Sequence, residues 1–245
     1  MILSHRKRFL FIKGLKVAGT SIEIALSRLC GERDVITPLL PRDEAVRLRD
    51  GRPCQNYGHP EDRRRAYLER VARDYRRVAF PDTPFFNHMS FRQVQERLGA
   101  SLNDFLYVCA ERNPYHKALS LIAYEQTAFA YAMGFPAGCA PDRLRGLVAD
   151  YVASGRLSRA RNIDAYRGPD GRLPDVVLRQ ETLEEDFQAL LRRLGEPPAA
   201  LPHAKQGILA NRLDPLEYFD SDQIGAINTL FAEEFEAFGY PMLRP

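Results

Sequence analysis

The sequence predicts an α/β protein with a P-loop-like central parallel sheet flanked by helices. Residues 9–27 pass from an apolar strand through a tight glycine loop into a helix. Residues 104–122 repeat the strand-loop-helix order, and their strand is a continuous apolar run of the kind buried inside parallel sheets. Strands and helices alternate along much of the remaining chain, which calls for helices on both faces of the sheet and ligands beyond the carboxyl ends of the strands.

Each element has its own signal. The strand at 9–12 is apolar throughout and runs into Gly14 and Gly19. Ile22, Ala25, Leu26 and Leu29 then recur at helical spacing until Gly31. Residues 34–60 hold Pro38, Pro41, Pro53 and Pro60 with few periodic apolar positions, and read as an irregular insertion. Residues 61–77 form an arginine-rich helix with Tyr67, Leu68, Val71, Ala72 and Tyr75 inward. Its interspersed Glu61, Asp62, Glu69 and Asp74 favour a solvated face over a polyanion site. Residues 83–90 read as a short strand with His88 at its end, followed by a helix through Val94 and Leu98.

After the strand at 104–110, Pro114 suits the first turn of a helix that buries Tyr115, Ala118, Leu119 and Ile122. Residues 124–174 form a second irregular insertion, relieved by a helix over 142–153 and a polar turn at 169–171. A strand over 175–179, closed by Glu181, leads to a helix opened by a Thr182/Glu185 capping box and ended at Gly195. Pro197, Pro198 and Pro202 forbid regular structure there, and a last helix spans 222–238.

The chain of 245 residues, 45% hydrophobic and 27% charged, is read as one domain over 1–245. A chain of this size buries roughly 70–75% of its unfolded surface. The net charge of +3 favours anionic ligands but is too weak to mark a nucleic-acid-binding protein, and no nucleic acid is expected as a partner. Cys30, Cys54, Cys109 and Cys139 stand far apart with no C-x-x-C pair, which argues against a zinc ribbon or disulfide framework and for a reducing, cytoplasmic compartment. The histidines lack metal-ligand spacing, so no metal is expected. The charged start leads into a core strand rather than a signal peptide, and no apolar run is long enough for a transmembrane segment.

The glycine loop carries the first chemical signal. Successive backbone N–H groups at a strand-to-helix turn, reinforced by the helix dipole, make an anion cradle. Gly14-Leu-Lys-Val-Ala-Gly-Thr-Ser21 has the glycine spacing of the nucleotide-triphosphate loop G-x-x-x-x-G-K-[ST], but Thr20 stands where that motif has lysine. The lysine is Lys16, inside the loop.

These residues resemble the sulfotransferases that use 3'-phosphoadenosine 5'-phosphosulfate (PAPS), closest to their carbohydrate-type, heparan- and chondroitin-sulfotransferase-like branch. That branch's first loop reads P-K-T-A-G-T-S; here it is Leu15-Lys-Val-Ala-Gly-Thr-Ser21, with Leu15 in place of proline and Val17 in place of threonine. Its second signature, R-N-P-Y-x-(R/K)-A-x-S, is similar to Arg112-Asn-Pro-Tyr-His-Lys-Ala-Leu-Ser120. Residues 178–187 and 233–240 resemble later segments of the family, in its order.

The resemblance implies a donor-binding set. Lys16, Ala18, Gly19, Thr20 and Ser21 would hold the 5'-phosphosulfate, while Arg112 and Ser120 would grip the 3'-phosphate. Lys205 and Gly207 would lie in a late loop around the adenosine. His88 is the candidate base for the acceptor hydroxyl, ahead of His116 and His203, since imidazole titrates in the right range. Glu181 either positions the acceptor, braces the base or merely caps a helix. The acceptor would be a glycan or glycolipid hydroxyl, with the insertions at 34–60 and 124–174 shaping its pocket. The alternatives are a P-loop nucleotide kinase or NTPase, and a non-catalytic polyanion-binding module. The kinase reading is disfavoured by the displaced lysine and by the lack of an acidic residue ending the strand at 105–110, where magnesium would be held.

Overall fold

A computed structural model describes residues 1–132, 141–202 and 214–245, with side chains outside 127–132 and 141. In chain order the elements begin β1 (Ile2–Ser4), β2 (Phe9–Ile12), α1 (Gly19–Ser27), β3 (Val35–Ile36), α2 (Pro41–Asp50), α3 (Glu61–Asp74) and α4 (Phe91–Leu98). They continue with β4 (Leu106–Glu111), α5 (Pro114–Ala132), α6 (Pro141–Ala153), α7 (Ile163–Tyr166), β5 (Val176–Arg179), α8 (Leu183–Arg193), α9 (Ser221–Leu230) and α10 (Ala232–Phe238). The chain packs into two compact units, one of residues 1–14, 18–110 and 164–205, the other of 15–17, 111–163 and 206–245.

The first unit holds the sheet, ordered β3-β1-β2-β4-β5. β2 and β4 pair in parallel, Phe9 beside Leu106 and Ile12 beside Cys109. β1 runs antiparallel to both β2 and β3, so the sheet is mixed rather than wholly parallel. The turn from β1 to β2 is organised by Asp34, whose carboxylate accepts from Ser4 Oγ at 2.7 Å, His5 N–H at 2.7 Å and Gly31 N–H at 2.8 Å. On the far side of β4, Tyr107 donates to Tyr166 C=O and Tyr166 donates to Ala110 C=O, each at 2.6 Å. These two phenols fasten α7 to the strand. Apolar side chains of β1, β2, β4 and α1 make the core, with Phe9, Phe11, Ile12, Ile22 and Leu26 fully covered.

The second unit is helical. α5, α6, α9 and α10 close around Tyr115, Leu119, Ile122, Val148, Ile227 and Phe231. Tyr115, Ala118, Leu119 and Ile122 all face this core, as their spacing predicts.

Five expectations from the sequence are corrected. Residues 34–60 are not irregular: they contain β3 and α2. Helix α2 has no apolar stripe because its inward face is an ion pair, Arg47 on Glu44, both fully buried, with Glu44 also accepting from Leu39 and Cys54 N–H at 2.9 Å. Residues 124–174 are likewise largely helical where described, through the end of α5, α6, a 3-10 turn at Arg156–Ala160 and α7. Residues 83–90 form no strand. Pro84 has no N–H to give a ladder, and the segment is held through Phe85 N–H on Tyr57 C=O at 3.1 Å. The Thr182/Glu185 capping box does not form: a 3-10 turn at Gln180–Thr182 leads into α8, and Thr182 Oγ1 instead donates to Asp186 at 3.0 Å. The last helix is two, α9 and α10, broken at Phe231, which is wholly buried.

Removing one partner of a buried ion pair leaves an uncompensated charge, so Glu44→Ala should cost about 3–5 kcal/mol in urea unfolding. Asp220→Ala, which removes the exposed capping box of α9, should cost about 1 kcal/mol. Equal losses would contradict the weight given to the α2 pair.

Candidate functional site

β2 ends at Ile12 and the chain turns into α1 through a loop with two non-glycine residues in the left-handed region, Lys16 at φ 63° and Ala18 at φ 60°. Each such residue costs about 1–2 kcal/mol unless its surroundings enforce it. Ala18 is the N-cap of α1, and neither a side-chain cap nor an acidic residue occupies the first turn. By contrast, α4 and α9 are closed by the capping boxes Ser90/Gln93 and Asp220/Gln223, while α2, α3 and α8 carry acidic first turns. Gly19 and Thr20 thus present backbone N–H groups and a positive dipole end to an anion, while Ser21 N–H is taken by Ala18 C=O at 3.1 Å.

Gly19 has a packing reason as well. A Cβ there would lie 2.6 Å from Lys13 Cγ. Lys13 crosses this point to reach Glu23 at 2.8 Å, with Lys13 only 5% exposed and Glu23 fully buried. The neighbouring cations hold the Glu23 carboxyl far below the usual carboxylate range despite its burial. A buried cation-anion pair therefore sits behind the start of α1.

His88 lies on the turn before α4, not at a strand end, with φ 63°. Its Nδ1 is 3.1 Å from Lys13 C=O. A carbonyl only accepts, so Nδ1 carries the proton and Nε2 keeps its lone pair. Burial, and then the charge of Lys13, push the imidazole down to about 3. The ring is therefore neutral at physiological pH, and its low proton affinity makes it a weaker base than the free imidazole expected from the sequence.

In the second unit, Lys16 places its ammonium 4.0 Å from the centre of the Tyr124 ring, on a side chain that is 41% exposed. Arg112 and Ser120 flank the first turns of α5, and both are largely covered. Next to Arg112 is a buried frame that sequence reasoning missed. Lys117 bridges Glu111 at 2.8 Å and Glu234 at 2.5 Å, all three fully buried. Glu111 also accepts from Arg112 N–H at 2.8 Å. Glu234 accepts from the N–H groups of Asn162 and Ile163, the latter at 3.0 Å. Asn162 then holds the loop, with Leu15 N–H donating to its Oδ1 at 2.7 Å and its Nδ2 donating to Leu15 C=O at 3.1 Å.

β4 extends to Glu111, so the strand does end on an acidic residue, contrary to the expectation of none. That carboxylate is engaged by Lys117, Arg112 N–H and the Asn162 amide. Burial, opposed by Lys117, raises Glu111 to about 7.

Among the other expected residues, Glu181 is exposed in the 3-10 turn before α8, and His116 lies on α5. Lys205, Gly207 and His203 lie outside the described residues. A hollow of about 560 Å³ opens at the start of β2 and β4, beside Lys7, Arg8 and Arg172, but these cations are paired with Glu196, Asp104 and Asp175. Among the described residues no helix is long and apolar enough to cross a membrane. Compared with known proteins, the chain matches no family model, no curated protein and no solved structure.

Because Glu111 titrates above its ordinary value when folded, the native state holds a proton that the unfolded chain releases between about pH 4.5 and 7. Stability from this group therefore falls as pH rises through that window and is flat above it. The melting temperature of Glu111→Gln should fall less between pH 5 and pH 7.5 than that of the unaltered chain. A parallel decline in both would show that Glu111 is ionised throughout.

Proposed function

We propose that the protein transfers the sulfuryl group of PAPS to an acceptor hydroxyl, carried by a carbohydrate as the first loop's resemblance suggests. The observation that carries this reading is the uncapped, acid-free start of α1, reached directly from the loop that bears Lys16. It suits a phosphosulfate, whose oxygens accept backbone N–H groups without needing the triphosphate lysine that this loop lacks. The presence of Lys16, Arg112 and Ser120 within one compact unit supports a donor that carries a second phosphate. An arginine fork is well matched to such a group.

In this mechanism the acceptor oxygen attacks sulfur as the bond from sulfur to the bridging phosphate oxygen breaks. The hydroxyl proton passes to His88 Nε2, the electron pair stays on the bridging oxygen, and adenosine 3',5'-bisphosphate leaves. Lys16 neutralises the charge that develops on that oxygen, as fixed cations do in phosphoryl transfer. The carboxylate at the end of β4 is committed to Lys117, which weighs against a magnesium-dependent kinase.

Adenosine 3',5'-bisphosphate should raise the melting temperature and magnesium-ATP should not; the reverse would favour a nucleotide kinase. Lys16→Ala should lower kcat by about 10²–10³-fold, the loss typical of one oxyanion donor, while keeping bisphosphate affinity. Arg112→Ala should weaken that affinity about 10–100-fold, as expected for a hydrogen bond to a charged group. If His88 is the base, it is already neutral in the free enzyme down to about pH 3, so kcat/KM should show no inflection near pH 6.5 from this residue. Full activity of His88→Ala would remove it from the mechanism.

A further inference from the structure

We propose that Asn162 is the positioning residue of the donor loop, holding Leu15 at both its N–H and its C=O so that Lys16 is kept in its left-handed conformation. The inference rests on the proposed function for its catalytic meaning, but its geometry stands alone.

A lysine at φ 63° is disfavoured by its own Cβ, and no glycine in the loop occupies that position to relieve it. Something outside the loop must enforce the shape. Asn162 does so from 147 positions away, presenting an acceptor to Leu15 N–H at 2.7 Å and a donor to Leu15 C=O at 3.1 Å. The two bonds fix the peptide units on either side of Leu15, and the second of these leads into Lys16.

The clamp is itself braced. Asn162 is 2% exposed, its main-chain N–H is taken by Glu234, and its Nδ2 also lies 3.3 Å from Glu111 Oε2. Glu111 receives Arg112 N–H, and Lys117 ties Glu111 to Glu234. One buried frame therefore touches both segments assigned to the donor, residues 15–16 and Arg112. Asn162 does not itself meet the reacting atoms in this account. It acts through Lys16.

Two measurements on Asn162→Ala test the idea. Hydrogen exchange at the Leu15 amide should accelerate at least about tenfold, while the amides of Leu119 and Ile122 on α5 stay protected. In a double-mutant cycle, Asn162→Ala should slow sulfuryl transfer about 100-fold in the unaltered chain, the loss expected from a small misplacement. It should add no further slowing in a Lys16→Ala background. Asn162→Ser, too short to reach Leu15, takes the place of Asn162→Ala if that variant does not fold. An unchanged Leu15 exchange rate, or slowing of equal factor in both backgrounds, overturns the inference while leaving the functional reading intact. An unaltered chain that transfers no sulfuryl group overturns the functional reading and the catalytic role of Asn162 with it, and Leu15 exchange then reports on the clamp alone.

Discussion

The helical unit depends on one ammonium group shared between two carboxylates. Lys117, Glu111 and Glu234 are all shut away from water, and such a set survives only when nearly every polar atom is answered. The answers come from the backbone: Arg112 N–H on Glu111, and the N–H groups of Asn162 and Ile163 on Glu234. The need to satisfy two buried carboxylates thus fixes the chain at Arg112, Asn162 and Ile163. Two of these, the start of the Arg112 segment and Asn162, control parts of the proposed donor site. Apolar replacements of buried ion pairs are often no less stable, but apolar side chains would not specify those backbone positions.

The sheet-bearing unit uses the same device on a smaller scale. Lys13 and Glu23 form a buried pair behind the first turn of α1, and the path of Lys13 leaves no room for a side chain on Gly19. The carbonyl of the same Lys13 sets the tautomer of His88. Its side chain and its main chain therefore each constrain a proposed site residue, although Lys13 is not assigned to touch the donor.

What could be read from the sequence follows from how each element earns its burial. β2, β4, α1 and α5 bury apolar side chains at regular spacing, so periodicity finds them and places Lys16 and Arg112 at their junctions. α2 buries Arg47 against Glu44, and a test for apolar stripes passes over it. β1 is three residues long and its register is set by Asp34, thirty residues from Ser4. The strand expected before His88 fails because proline interrupts it. Leu15 stands where the resembled loop has proline, and the local sequence shows nothing that replaces proline's stiffness. Asn162 holds Leu15 instead, through hydrogen bonds that span 147 positions and leave no local mark. A signal was present in Glu111, Lys117 and Glu234, three charges on otherwise buried faces of β4, α5 and α10. Charges at inward positions mark a paired frame once the faces are assigned.

The central proposal is that the Arg112 segment takes the 3'-phosphate of a nucleotide phosphorylated at both its 5' and 3' positions. A crystal structure with adenosine 3',5'-bisphosphate tests it most directly. The account predicts the 3'-phosphate on Arg112 and Ser120. A bisphosphate bound with its 3'-phosphate touching neither Arg112 nor Ser120 would contradict it.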